Sequence, residues 1–88
     1  MPDFRSDTVT RPSHAMKEAM FHAALGDDVF NDDPTTLELQ RTAADMLGFD
    51  AALFAPSGTQ TNLIAMMSHC QRGDEAIVGQ QWHTYKWE

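Results

Sequence analysis

The run Pro56-Ser57-Gly58-Thr59-Gln60 is the part of the sequence best suited to hold an anion. It lies between a predicted buried strand and a predicted helix, so its backbone N–H groups open that helix and lack intrahelical acceptors. The N–H groups and the helix dipole attract negative charge, Gly58 allows close approach, and Ser57 and Thr59 add hydroxyl donors. The run therefore predicts a phosphate-binding turn. The alternative is that Ser57 only caps the helix, which explains its hydroxyl without a ligand.

His83 is the second candidate, because it follows a predicted strand, where the βα loops of parallel sheets carry ligand-facing residues. Its imidazole could stack on a planar ring or move a proton near neutral pH. Trp82 and Tyr85 are close in sequence, so a packed aromatic cluster is the alternative. The other histidines share no ligand spacing with His83 or Cys70, and we predict no metal site.

The composition excludes several classes of function. The chain has 88 residues, with 6 Lys and Arg against 13 Asp and Glu, and its net charge of −7 argues against nucleic acid as a partner. Its apolar runs are far shorter than the roughly 20 residues that cross a bilayer, so we expect no membrane partner. The single cysteine and the absence of a leader-like N-terminus predict a cytoplasmic protein. A chain this short makes one small domain with a marginal core.

Residues 1–48 are predicted to form an arm and two helices. Ser13 and Asp33 stand at N-cap positions, Pro34 is suited to the first position of a helix, and Gly48 to its end. The acidic turn between the helices is predicted to be solvated. The predicted elements are an extended arm over Asp3–Thr10, a helix over His14–Ala23 that stops by Gly26, and a helix from Pro34 to Gly48.

Residues 49–88 are predicted to form a right-handed βαβ unit, because an apolar run without alternation is typical of a strand buried in a parallel sheet. The order of elements predicts an α/β fold. The predicted elements are a strand over 50–56, a helix over Gln60–Cys70, a strand over Glu75–Val78 and the start of a helix at His83.

Several stretches in register carry a family resemblance. They are Asp3-Phe4-Arg5-Ser6-Asp7-Thr8-Val9-Thr10-Arg11-Pro12, Gly26-Asp27-Asp28-Val29-Phe30 with Asp32-Asp33-Pro34-Thr35, Ser57-Gly58-Thr59-Gln60-Thr61-Asn62, and Ile77-Val78-Gly79 with His83-x-Tyr85-x-x-Glu88. Along its whole length the chain resembles the N-terminal part of the low-specificity L-threonine aldolases. These are pyridoxal-phosphate enzymes of the aspartate-aminotransferase-like fold. The resemblance implies that the chain supplies the arm, two helices and the start of the parallel-sheet large domain.

The resemblance also implies roles for single residues. Ser57, Gly58 and Thr59 are expected to cradle the phosphate of pyridoxal 5′-phosphate. His83 is expected to stack on the pyridine ring and handle a proton near the substrate hydroxyl, and Ser6 to help hold the substrate carboxylate. The implied reaction is retro-aldol cleavage of L-threonine or L-allo-threonine to glycine and acetaldehyde, in a homo-oligomer, either dimer or tetramer.

The sequence departs from the family pattern in two respects. Phe30 stands where relatives often have tyrosine, so a hydroxyl is missing there. The family's Schiff-base lysine and ring-nitrogen aspartate are expected beyond Glu88, so we expect the 88-residue chain to be inactive by itself. Two alternatives remain open from the sequence: a non-catalytic anion-binding βαβ module, and an unfolded remnant of a truncated gene.

Overall fold

The computed structural model describes all 88 residues, which divide into two compact units, Met1–Ala52 and Leu53–Glu88. Every regular element is helical. Two short 3₁₀ helices occupy Asp7–Val9 and Asp28–Phe30, and the α-helices are α1 (His14–Phe21), α2 (Pro34–Leu47), α3 (Gly58–His69) and α4 (His83–Lys86). None of these helices has the length and apolar character needed to span a membrane.

Side-chain caps start both α-helices of the first unit. The Ser13 hydroxyl accepts a hydrogen bond from the Met16 N–H at 3.2 Å. Asp33 accepts one from the Thr36 N–H at 2.8 Å and another from the Thr36 hydroxyl at 2.6 Å. Pro34 follows at a position where its missing N–H costs no intrahelical bond. Both predicted N-caps are confirmed.

Asp33 also closes the acidic turn onto the start of α2. Its second carboxylate oxygen accepts from the Gly26 N–H at 2.8 Å. The Thr36 side chain, then the backbone N–H groups of Thr36 and Gly26, lower the pKa of Asp33. A Cβ at Gly26 would collide with the backbone of Asp32 and Asp33. Gly26 therefore permits a close approach of two backbone segments.

The ends of the helices agree with the sequence only in part. Gly48 ends α2 in the left-handed region, with φ of 72°, as predicted. The prediction that α1 continues to Ala23 is wrong, because the helix ends at Phe21 with His22 as C-cap. The first unit contains the only buried hydrophobic residue of the chain, Ala44, which is 6% exposed.

The predicted strands over 50–56 and Glu75–Val78 do not form, so the start of a parallel sheet and the βαβ unit are not confirmed. A strand satisfies its backbone through a ladder with a neighbouring strand, and neither segment has such a ladder. The apolar side chains that suggested burial stay in contact with solvent; Leu53 is 70% exposed and Ile77 fully exposed. Apolar character without a pairing partner is not sufficient for a sheet.

We expect Gly48→Ala to destabilise the C-terminal end of α2 by about 1–2 kcal/mol, because an L-residue pays this cost in the left-handed region. Nothing lies within 4 Å of a Cβ at this position, so the penalty comes from the backbone alone. Amide hydrogen exchange in the last turn of α2 should become about tenfold faster. Gly48→Asn is the matched control and should lose less stability at the end of α2, since asparagine tolerates this conformation. Equal exchange in the wild type and Gly48→Ala would contradict the assignment.

Candidate functional site

The N-terminus of α3 has the geometry of a capped helix with unused donors. Ser57 is extended, with φ of −149° and ψ of 153°, and its hydroxyl oxygen accepts from the Gln60 N–H at 3.2 Å. The helical ladder begins with the Thr61 N–H, which donates to the Ser57 carbonyl at 3.2 Å. The N–H groups of Gly58 and Thr59 lie before that bond and have no acceptor within the helix.

The space in front of these donors is open. Ser57, Gly58 and Thr59 are all exposed, and nothing lies within 4 Å of a Cβ built on Gly58. The Ser57 oxygen accepts its hydrogen bond through a lone pair, so its O–H remains able to donate. Two backbone N–H groups and one hydroxyl at the positive end of a helix are suitable donors for a phosphate group.

The Glu88 carboxylate connects α3 with His83. Its Oε1 lies 2.7 Å from Nδ1 of His83 and 3.1 Å from Nδ2 of Asn62. The Thr59 side chain lies close enough to this carboxylate to lower its pKa. Thr59 and His83, two of the predicted site residues, therefore lie beside one acidic group.

The Glu88 side chain is far less exposed to solvent than the His83 side chain that it binds. It is 10% exposed, against 65% for His83. The hydrogen bond from His83 is the largest cause that lowers the pKa of Glu88, and Asn62 and Thr59 contribute in the same direction. Burial opposes the shift without reversing it. Glu88 therefore stays ionised at neutral pH and acts only as an acceptor.

A tight turn places His83 at the start of α4. The Trp82 N–H donates to the Gly79 carbonyl at 2.9 Å, and a Cβ on Gly79 would collide with the Trp82 indole. No side chain caps α4, but the Trp87 N–H donates to the His83 carbonyl at 2.8 Å. His83 is thus fixed through its backbone by this turn and through its ring by Glu88.

An open cleft adjoins the Glu88 carboxylate in the second unit. Its volume is about 330 Å³, within the range of sites for small molecules. Its lining residues are Thr59, Leu63, Met66, Thr84 and Glu88. The polar side chains of this lining are Thr59, Thr84 and Glu88.

Sequence reasoning assigned no role to Glu88. The sequence pointed to it only through the pattern His83-x-Tyr85-x-x-Glu88, which carries the family resemblance without giving Glu88 a role. Asn62 likewise lies at the end of the stretch Ser57–Asn62, where the sequence indicates no role for it. A hydrogen bond between residues 26 positions apart cannot be deduced from local spacing.

Ser6 lies in the first unit and acts there as a local cap. Its hydroxyl accepts from the Thr8 N–H at 3.3 Å and lies 2.9 Å from the Thr8 hydroxyl. Its expected contact with a substrate carboxylate stays a prediction. Phe30 ends the second 3₁₀ helix with its ring exposed. No cluster of three or more His, Cys, Asp or Glu side chains suitable for a metal ion forms.

Comparison with known proteins gives consistent matches. The family model described as Beta-eliminating lyase matches residues 3–88. The chain is 60% identical over 88 residues to the low specificity L-threonine aldolase of Escherichia coli K12, which covers all of this chain and 26% of that protein. It is 53% identical over 87 residues to low-specificity L-threonine aldolase 1 of Arabidopsis thaliana, covering 98% of this chain and 24% of that protein.

The match extends to fungi with lower identity. The low specificity L-threonine aldolase of Saccharomyces cerevisiae is 42% identical over 76 residues, which cover 86% of this chain and 20% of that protein. The chain thus spans about a quarter or less of the length of these relatives, in their N-terminal part. Because the family model covers nearly every residue, the chain belongs to the beta-eliminating lyase family.

Proposed function

We propose that this chain is the N-terminal part of a pyridoxal-phosphate-dependent threonine aldolase, and that the turn Ser57–Thr59 binds the cofactor phosphate. The observation that carries the proposal is the open N-terminus of α3, where the Gly58 and Thr59 N–H groups lack helical acceptors. The family match and the names of the relatives agree with this chemistry. The proposed substrate is L-threonine or L-allo-threonine, cleaved to glycine and acetaldehyde.

The protein's part in cofactor binding is electrostatic. The backbone N–H groups of Gly58 and Thr59 would donate to phosphate oxygens, and the Ser57 hydroxyl would donate through its free hydrogen. When bound, pyridoxal 5′-phosphate supplies an electron-accepting ring for the charge left by cleavage of the Cα–Cβ bond.

His83 would act on the ring and on the substrate. Its side chain is 65% exposed, so a face of the imidazole is available for stacking on the cofactor. Nδ1 is engaged by Glu88, and Nε2 makes no hydrogen bond within the chain. Nε2 would accept the proton of the substrate β-hydroxyl as the carbonyl of the aldehyde product forms.

Two further proposals follow from the family. Ser6 would help to hold the substrate carboxylate through its hydroxyl, and the complete enzyme would be a homo-oligomer. The reducing compartment expected for a chain with the single free Cys70 is consistent with a cytoplasmic enzyme.

Binding of a phosphorylated ring should depend on Gly58. In ³¹P NMR titrations of the 88-residue chain, we expect pyridoxine 5′-phosphate to bind more tightly than inorganic phosphate. This probe lacks the aldehyde, so it cannot react with Lys17 or Lys86. Gly58→Asp should weaken binding by about tenfold or more, because a carboxylate then faces the phosphate dianion.

Gly58→Asn is the matched neutral control and should bind more tightly than Gly58→Asp. A carboxylate in the first turn favours a helix, so helix content by circular dichroism should not fall in Gly58→Asp. Equal, weak affinities for inorganic phosphate and pyridoxine 5′-phosphate would favour the alternative function, an anion-binding module. Unchanged binding by Gly58→Asp would reject the phosphate site at this turn.

The catalytic role of His83 can be tested in a chimera. We expect the Escherichia coli K12 aldolase to retain threonine cleavage when this chain replaces its matching N-terminal residues. In that chimera, His83→Phe keeps an aromatic ring for stacking but removes the proton acceptor. We expect kcat to fall by about 10²- to 10⁴-fold, while the cofactor absorption band is retained.

His69→Phe serves as the control for this substitution, since His69 is exposed at the end of α3 and makes no contact with Glu88. It should leave kcat unchanged. Full activity of His83→Phe would exclude a proton transfer by this residue. An inactive chimera that still binds the cofactor would argue against the proposed activity of this segment.

A further inference from the structure

The hydrogen bonds around Glu88 define which nitrogen of His83 carries the proton. Two nitrogen atoms lie within hydrogen-bonding distance of Oε1 of Glu88: Nδ2 of Asn62 at 3.1 Å and Nδ1 of His83 at 2.7 Å. The Asn62 amide nitrogen can only donate, and an ionised carboxylate can only accept. The partner at 2.7 Å must therefore also donate, so Nδ1 of His83 carries a hydrogen.

The same contacts hold the carboxylate in place. Asn62 belongs to α3 and His83 to α4, and both bind Oε1, so Glu88 links these two helices. Only 10% of the Glu88 side chain is exposed, so most of it lies against neighbouring atoms. The lowered pKa of Glu88, caused first by the His83 hydrogen bond, keeps the acceptor ionised.

We propose that Glu88 is a positioning residue for His83, which fixes the neutral imidazole as the Nδ1–H tautomer and orients its Nε2 lone pair away from the carboxylate. In the neutral ring, a proton on Nδ1 leaves Nε2 as the only acceptor. The use of this lone pair for the substrate proton rests on the proposed function, whereas the tautomer itself does not.

Glu88 also balances the charge that a proton transfer creates. When Nε2 takes up a proton, the ring becomes an imidazolium with hydrogens on both nitrogens, and the Nδ1–H bond to the carboxylate becomes charge-assisted. The proton moves from the substrate oxygen to Nε2, and the one on Nδ1 stays in place. A carboxylate behind a histidine thus serves for orientation and charge without itself becoming protonated.

The tautomer can be measured without any cofactor. In the 88-residue chain labelled with ¹⁵N-histidine, long-range ¹H–¹⁵N spectra at a pH where the rings are neutral distinguish the two nitrogens. We expect His83 to show a protonated Nδ1 and an unprotonated Nε2. In Glu88→Ala the population should shift to the Nε2–H form, as in a histidine without a partner.

Glu88→Gln provides the conservative rescue. Asn62 still requires an acceptor at the same place, so the amide oxygen of E88Q should face both donors and retain the Nδ1–H tautomer without the charge. His14, His22 and His69 lie outside the contacts of Glu88 and serve as internal references whose signals should not change.

A wild-type His83 in the Nε2–H form would overturn the proposal, as would an unchanged tautomer in Glu88→Ala. The wild-type spectrum decides the tautomer even if Glu88→Ala loosens α4, and amide exchange in α3 reports such loosening. The Nδ1–H tautomer together with failed binding of pyridoxine 5′-phosphate would reject the proposed function and retain this inference. Binding of pyridoxine 5′-phosphate together with the Nε2–H tautomer would support the proposed function and reject this inference.

Discussion

The hydrogen-bonded carboxylate of Glu88 is the interaction on which the candidate site depends. It accepts hydrogen bonds from Asn62 of α3 and from His83, and the bond to Asn62 joins residues 26 positions apart. The second unit has no buried hydrophobic residue, so the connection between His83 and α3 has no buried apolar core to support it. A short bond to an ionised, shielded acceptor supplies that connection, because such charge-assisted bonds are stronger than neutral ones.

Most of what the sequence could predict is local. Ser13, Asp33 and Ser57 each cap a helix by accepting from the N–H three residues further on, so donor and acceptor are visible within four letters of sequence. Gly48 ends α2 for an equally local reason, its left-handed backbone. The extent of α1 was harder to predict, because alanines continue past Phe21 while the helix does not.

The wrong prediction of the strands and the missed role of Glu88 have a common cause. Both depend on groups distant in sequence: a strand needs a partner ladder, and Glu88 needs Asn62 on α3. The apolar run Ala51–Ala55 indicates a tendency to be buried but does not specify a neighbour. In the structure Leu53 is largely exposed, so the apolar run has no neighbouring strand that covers it.

Capping and phosphate binding by Ser57 are compatible, although the sequence presents them as alternatives. The cap uses a lone pair of the hydroxyl oxygen, and a ligand would use its hydrogen. Thr59 differs, because its side chain lies beside the Glu88 carboxylate, whereas its backbone N–H lacks a helical acceptor and is the donor available to an anion. A phosphate at this turn would then lie near the Glu88 carboxylate, whose charge is shared with the hydrogen bonds from His83 and Asn62. The proposed phosphate site and the His83–Glu88 pair are therefore neighbours at the N-terminal end of α3, and Thr59 is the residue that adjoins both.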